Sequence, residues 1–182
     1  QLLKPPVEEV TLDEIYRHLT RDMVIPETTA NSLAALELET EARFIQPVLT
    51  GLRMLERARE SNTRVIYISD TYLPASFVRN QLEAHGIWRE GDRLYASSEY
   101  GLTKRGGTLF RSVLQAEQIQ PSQLTHIGND IHADVKTPRR HKIAATLLPD
   151  ANATRYEMIL QDDAQGTAGL SASLAAASRA AR

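Results

Sequence analysis

Residues 64–74 read RVIYISDTYLP, and the fold turns on how this stretch is read. Val65 to Ile68 run without a polar break and stop at Ser69-Asp70-Thr71. A short apolar run bounded by polar turn residues is expected to be a strand buried on both faces, as in a parallel sheet. Ligands on such sheets gather outside the carboxyl ends of the strands. Ser69, Asp70 and Thr71 sit at that end, which makes them candidate binding residues. Pro74 then suits the first turn of a helix, where a missing N–H costs nothing.

Beyond this strand the pattern alternates. A helix is expected over residues 74–85, with Phe77, Val78, Gln81 and Leu82 on one stripe and Gly86 at a left-handed cap. Residues 93–96 form a second strand candidate. Residues 108–117 read as a helix facing the core through Leu109, Phe110, Val113 and Leu114. Residues 124–127 are a strand ending at Gly128, residues 131–140 a helix limited by Pro138, and residues 143–148 a last strand. Alternating strands and helices predict an α/β domain with a mostly parallel sheet. The sequence contains no internal repeat.

On the amino-terminal side the period is helical. Residues 1–10 read as a connector, held extended by Pro5-Pro6. Thr11 and Glu14 have capping-box spacing, and Val10 and Ile15 have hydrophobic-staple spacing. Leu12, Ile15, Tyr16 and Leu19 then share a helix face. After a break near residues 24–26, a second helix is expected over 28–45 and, past Pro47, a third over 48–60. The third should turn Leu49, Leu52, Met54 and Leu55 inward and Arg53, Arg57 and Arg59 outward. The expected organisation is a helical segment at 8–60, an α/β core at 61–150, and a carboxyl-terminal helix and linker at 151–182. From Gln161 the composition shifts to Gln, Asp, Gly, Ser and Ala, leading into SASLAAASRAAR.

Composition narrows the function classes. The 182 residues are 42% hydrophobic and 24% charged, a globular balance with enough chain for one real core. A net charge of -2 supplies no basic field for nucleic acid. The absence of cysteine excludes a disulfide, a thiolate nucleophile and a cysteine-bound zinc. No apolar run has the length of a membrane span, and QLLKPPVEEV lacks the apolar core of a signal peptide, so a cytoplasmic location is expected.

Three places at strand or helix ends hold residues suited to chemistry: Ser69 with Asp70 and Thr71, Lys104 in GLTKRGG, and Asn129, Asp130 and Asp134 in HIGNDIHAD. A hydroxyl, an ammonium and a carboxylate pair on one rim suit a phosphoryl group and a divalent cation. Lysine neutralises developing charge, and oxygen ligands suit Mg²⁺. Each has a plainer role. Asp70 and Thr71 can cap the next helix, Lys104 beside Arg105 can be a solvated loop pair, and Asp130 with Asp134 can simply favour a helix N-terminus. The five histidines show no ligand spacing, and Trp88 reads as a packed loop anchor.

The order VIYIS, then Lys104, then HIGNDIHAD resembles the second, third and fourth motifs of the haloacid dehalogenase (HAD) superfamily of phosphohydrolases. The wording ISDTYLP, YASSEYGLTKRGG and HIGNDIHADV is similar to HAD-type domains embedded in large bacterial proteins beside glycosyltransferase modules. The likeness covers residues 60–148, and the helices before it resemble a small helical cap. It implies a HAD-like Rossmannoid parallel sheet and a Mg²⁺-dependent phosphohydrolase or phosphotransferase acting on a phosphorylated small molecule such as a sugar phosphate. Ser69 would hold the phosphoryl group, Lys104 would stabilise its charge, and Asp130, Asp134 and Asn129 would carry the metal. Other domains of the same polypeptide are the expected partners.

The chain departs from that pattern at two points. The first motif, an apolar strand ending in Asp-x-Asp, which bears the nucleophile and general acid/base, is not among these residues. Its strand lies between those of the second and fourth motifs, so two sheet edges are expected to need a partner, supplied by residues upstream. Gly-Asn-Asp also stands where Gly-Asp-Asn is commoner, which leaves open whether Asn129 or Asp130 faces the metal. Two other functions remain compatible: a non-catalytic HAD-like scaffold, and a phosphorelay receiver, for which no acceptor Asp is visible at an earlier strand end.

Overall fold

The computed structural model describes residues 7–162. Pro5-Pro6 and the Ala-rich tail lie outside the described residues. Helix α1 (Leu12–Asp22) opens with the capping box read from the sequence: Thr11 Oγ1 accepts from Glu14 N, and the Glu14 carboxylate accepts from Thr11 N. Val24, with φ 53°, turns the chain into α2 (Glu27–Phe44). Two phenols hold this pair of helices to the core. Tyr16 of α1 and Tyr72, which follows the first strand, donate to the two oxygens of Glu37 on α2, at 2.6 and 2.8 Å.

Helix α3 (Leu49–Glu60) leads through Asn62, also at positive φ, into strand β1 (Ile66–Ser69). Helix α4 (Ala75–Ala84) crosses over to strand β2 (Arg93–Ala96). Gly86 at φ +67° ends α4 in the left-handed cap expected of it, with Ile87 N reaching back to Leu82 O. β1 and β2 pair in parallel, from Ile66 opposite Arg93 to Ser69 opposite Ala96. The short α5 (Ser97–Tyr100) and helix α6 (Thr108–Ala116) follow. Leu109, Phe110 and Val113 of α6 are fully buried, and Leu109 and Val113 form the core with Tyr95, Ile66 and Ile68. Strand β3 (Thr125–Gly128) pairs in parallel with β4 (Ala144–Leu147). Helix α8 (Arg155–Asp162) runs into the stretch read as a linker.

Three expectations are corrected. Residues 131–140 are not one helix limited by Pro138. Ile131–Lys136 is a π-helical turn, and α7 (Thr137–Arg140) begins afresh with Pro138 in its first turn. Proline has no N–H to return to the preceding turn, so it sits where a helix starts, and the wider π turn absorbs the break. Arg59 does not point outward with the exposed Arg53 and Arg57. Its guanidinium pairs with Asp92 at 2.7 Å, with both side chains about nine-tenths covered, and also donates to Ile87 O. Finally, β1 is not buried on both faces: all four of its residues are half-buried.

The last correction follows from the topology. Among the described residues the four strands form two separate parallel pairs, β1 with β2 and β3 with β4. A cleft of about 730 Å³ lies where β1 and β3 would otherwise meet, lined by Ile66, Ile68, Ser69, His126, Ile127 and Leu55 among others. Leu52, Met54 and Leu55 of α3 turn toward this cleft, whereas Leu49 stays exposed. Trp88 anchors its loop as expected, stacked on Tyr67 with the Arg79 guanidinium 4.7 Å above its ring.

The Arg59–Asp92 pair ties α3 to the start of β2. Removing one partner of a buried pair strands the other charge, at a cost of about 3–5 kcal/mol. Arg59→Ala is therefore expected to lower the unfolding free energy by that amount in urea titration. Arg57→Ala, two residues away and exposed, should change it by less than about 0.5 kcal/mol.

Candidate active site

The carboxyl ends of β1, β2 and β3 converge on the turn over residues 101–107. Asp70, the residue after β1, grips this turn: its Oδ1 accepts from Lys104 N at 2.7 Å and its Oδ2 from Arg105 N at 3.3 Å. Burial pushes the Asp70 carboxyl above its ordinary value, against the pull of the Lys104 backbone hydrogen bond. Thr71 serves its own turn, accepting from Leu73 N at 3.1 Å, while its N–H donates to the buried Ser97 hydroxyl. Neither caps the next helix: α4 starts after Pro74 with no side-chain cap, and both residues serve other backbone groups. Ser69 lines the cleft, and its hydroxyl makes no hydrogen bond among the described residues.

Lys104 turns inward. Its Nζ lies 2.6 Å from Asp134 Oδ1, with the lysine side chain 12% exposed and the aspartate side chain 2%. His126 Nε2 reaches the same oxygen at 3.0 Å. Asp130 N donates to the other oxygen at 2.9 Å. Burial alone would raise the Asp134 carboxyl. The His126 hydrogen bond and the Lys104 ammonium outweigh it and hold this acid well below the usual carboxylate range. Gly128 makes the arrangement possible, because a Cβ there would stand 2.4 Å from the Asp134 carboxylate.

Asp130 and Asp134 do not face one cation together. Asp130 caps the π turn through Oδ1, which accepts from His132 N and Ala133 N at 2.7 Å each. These bonds, Ala133's foremost, lower its pKa. Its Oδ2 meets Arg105 Nη2 at 3.1 Å, a pair too exposed to hold firmly. Asn129 gives its amide N–H to Asn152 Oδ1. Among the described residues no group of three or more His, Asp or Glu is placed to hold a metal. Asp130 Oδ2 and the Asn129 amide oxygen are the donors a hard cation could take with phosphate and water completing its shell. Asp134 is committed to Lys104 and His126.

The turn thus brings together Lys104, Asp134 and Asp70, with Asp130 linked through Arg105. Thr71 and Asn129 are turned to local partners. His126 was not singled out in the sequence, yet the signal was present. Alternation along a strand puts His126 on the same side as Gly128, and Gly128 is where the Asp134 carboxylate comes in. Chemically, the centre is a buried ammonium with its counter-ion. No protein-family model matches this chain, and no curated protein is similar to it.

Asp134 is ionised in the fold at a lower pH than in the unfolded chain, where a carboxyl titrates near about 3.9. Its stabilisation is therefore complete above that value and is lost as pH falls through the depressed folded value. Asp134→Asn is expected to cost about 3–5 kcal/mol at neutral pH, because it strands the Lys104 charge. The gap from wild type should stay constant between about pH 5 and pH 8 and narrow below about pH 4. Urea unfolding across that range checks both parts.

Proposed function

We propose that this chain is the phosphate-handling part of a HAD-type, Mg²⁺-dependent phosphohydrolase or phosphotransferase acting on a phosphorylated small molecule. The aspartate nucleophile would stand on a strand outside the described residues. One observation supports this reading: the cleft between β1 and β3 is apolar enough to take a further strand. Each of these strands pairs on one edge only among the described residues. The cleft between them is walled by apolar side chains of β1, β3, α3 and α4. A parallel strand set there would join the two pairs into one five-stranded sheet. Its carboxyl end would emerge beside Ser69 and the turn that carries Lys104.

In that setting each residue has a distinct task. Ser69 would donate to a phosphoryl oxygen. The Lys104 ammonium would stabilise charge on the phosphoryl group, with Asp134, itself bonded to His126, keeping it in place. Mg²⁺, taken by Asp130 and Asn129, would supply further neutralisation of phosphate oxygens. The substrate class is read no further than a phosphorylated metabolite, with sugar phosphates as the first group to try.

A second reading also has support. The turn's N–H groups at Lys104 and Arg105 are spent on Asp70, and both Asp134 oxygens are taken. A non-catalytic HAD-like scaffold for neighbouring domains would look the same. The two separate in one assay: phosphate release from a panel of phosphorylated sugars and nucleotides, with and without Mg²⁺, by the polypeptide extended upstream. The enzyme reading expects Mg²⁺-dependent turnover that falls about 10²–10³-fold in Lys104→Ala. No turnover on any substrate, with the extended protein folded, would favour the scaffold.

A further inference from the structure

Glu8 takes no part in the site as described so far, yet it holds the turn that presents Lys104. Its Oε2 accepts from Thr103 N at 3.0 Å, from Thr103 Oγ1 at 2.9 Å and from Thr108 Oγ1 at 2.6 Å. Its own N–H donates to Gly101 O at 2.9 Å. Thr103 directly precedes Lys104, and Thr108 opens α6. A Cβ at Gly106 would come within 2.6 Å of Glu8 Oε2, so the glycine leaves the space this carboxylate fills.

The neighbouring residues extend the same seam. Glu9 Oε2 accepts from the fully buried Ser97 hydroxyl at 2.9 Å. Thr11 caps α1, and Leu12 N donates to Tyr72 O at 2.9 Å. Residues 8–12 are thereby stitched across the exits of β1 and β2 and along the 101–108 turn. The turn is gripped from two sides, by Asp70 on the N–H groups of Lys104 and Arg105 and by Glu8 on Thr103 and Thr108. Its three glycines, Gly101, Gly106 and Gly107, give it wide conformational freedom when unrestrained. A long lysine stem reaches one carboxylate oxygen reliably only from a backbone that does not move.

We propose that Glu8 is a positioning residue for Lys104: by fixing the 101–108 turn, its carboxylate keeps the Lys104 ammonium on Asp134. The inference rests on Lys104 being the functional cation of the site, but its test reads position rather than turnover. A failed phosphatase assay would therefore leave it standing. Glu8 is itself exposed, so its replacement removes hydrogen bonds without opening the core.

Trypsin reports the position directly. It cuts after Lys104 only if that side chain leaves Asp134, whereas Arg105, exposed at 65%, serves as an internal reference. The full chain is digested briefly in native buffer, and peptides ending at each residue are counted by mass spectrometry. Glu8→Ala should raise cleavage after Lys104 about tenfold relative to wild type, the weight of one lost charge-assisted hydrogen bond. Glu8→Gln, which keeps an acceptor oxygen, should restore most of the protection. Thr108→Val, which removes one donor and leaves Glu8 intact, should give a smaller rise. The urea midpoint should be unchanged in all three. Equal cleavage after Lys104 in wild type and Glu8→Ala would overturn the proposal. So would a rise in Glu8→Ala that Glu8→Gln does not reverse, or one matched by faster cleavage throughout the chain and a lower urea midpoint.

Discussion

A charge that must be kept out of water governs this structure. The Asp134 carboxylate is almost wholly buried, and a lone ion in that position would cost several kcal/mol. Its neighbours are the answer to that cost. Lys104 brings the opposite charge, His126 and Asp130 N bring hydrogen bonds, and Gly128 brings the absence of a side chain. They come from three places in the chain, so satisfying one carboxylate fixes β3, the π turn and the 101–107 turn relative to one another. The edge-on contact of Phe110 with the His126 ring, centroids 5.0 Å apart, extends the same constraint into the core under α6.

The divided sheet imposes the second constraint. Strands that pair on one edge only leave backbone groups and apolar side chains facing a cleft, an arrangement that folded proteins otherwise cover. α3 and α4 wall this cleft instead of packing on a continuous sheet, which explains why α3 has no fully buried residue despite its apolar face. The Arg59–Asp92 pair and the two tyrosines on Glu37 add polar ties between the helices and the rest of the fold.

Local patterns in the sequence transferred well to the fold. The capping box at Thr11, the left-handed cap at Gly86, the β2 limits and the buried face of α6 all follow from short-range periodicity and turn chemistry, and the structure has them. What local pattern could not carry was partner choice across the chain. Arg59 lies two residues from the solvated Arg57, and it is covered by partners far along the chain: Ile87 O and Asp92, the latter 33 residues later. The spacing of Asp130 and Asp134 correctly placed both at a helical start but could not tell that one would cap it and the other would turn inward to Lys104. Glu8 was passed over because its segment reads as a connector, and its hydrogen-bond partners lie some 95 to 100 residues away.

The same separation explains why so few residues can organise the rim. Lys104 sits in a glycine-containing turn whose own hydrogen bonds are few, among them Gly107 N to Lys104 O at 2.9 Å and Gly106 N to Thr103 Oγ1 at 3.0 Å. Further rigidity comes as carboxylates, because a carboxylate accepts several N–H and O–H donors at once. Asp70 arrives from the strand and Glu8 from the segment leading to α1, so the core and the helical pair each hold one side of the turn. The position of the lysine then depends on both, and Glu8 links the turn to the segment that leads into α1.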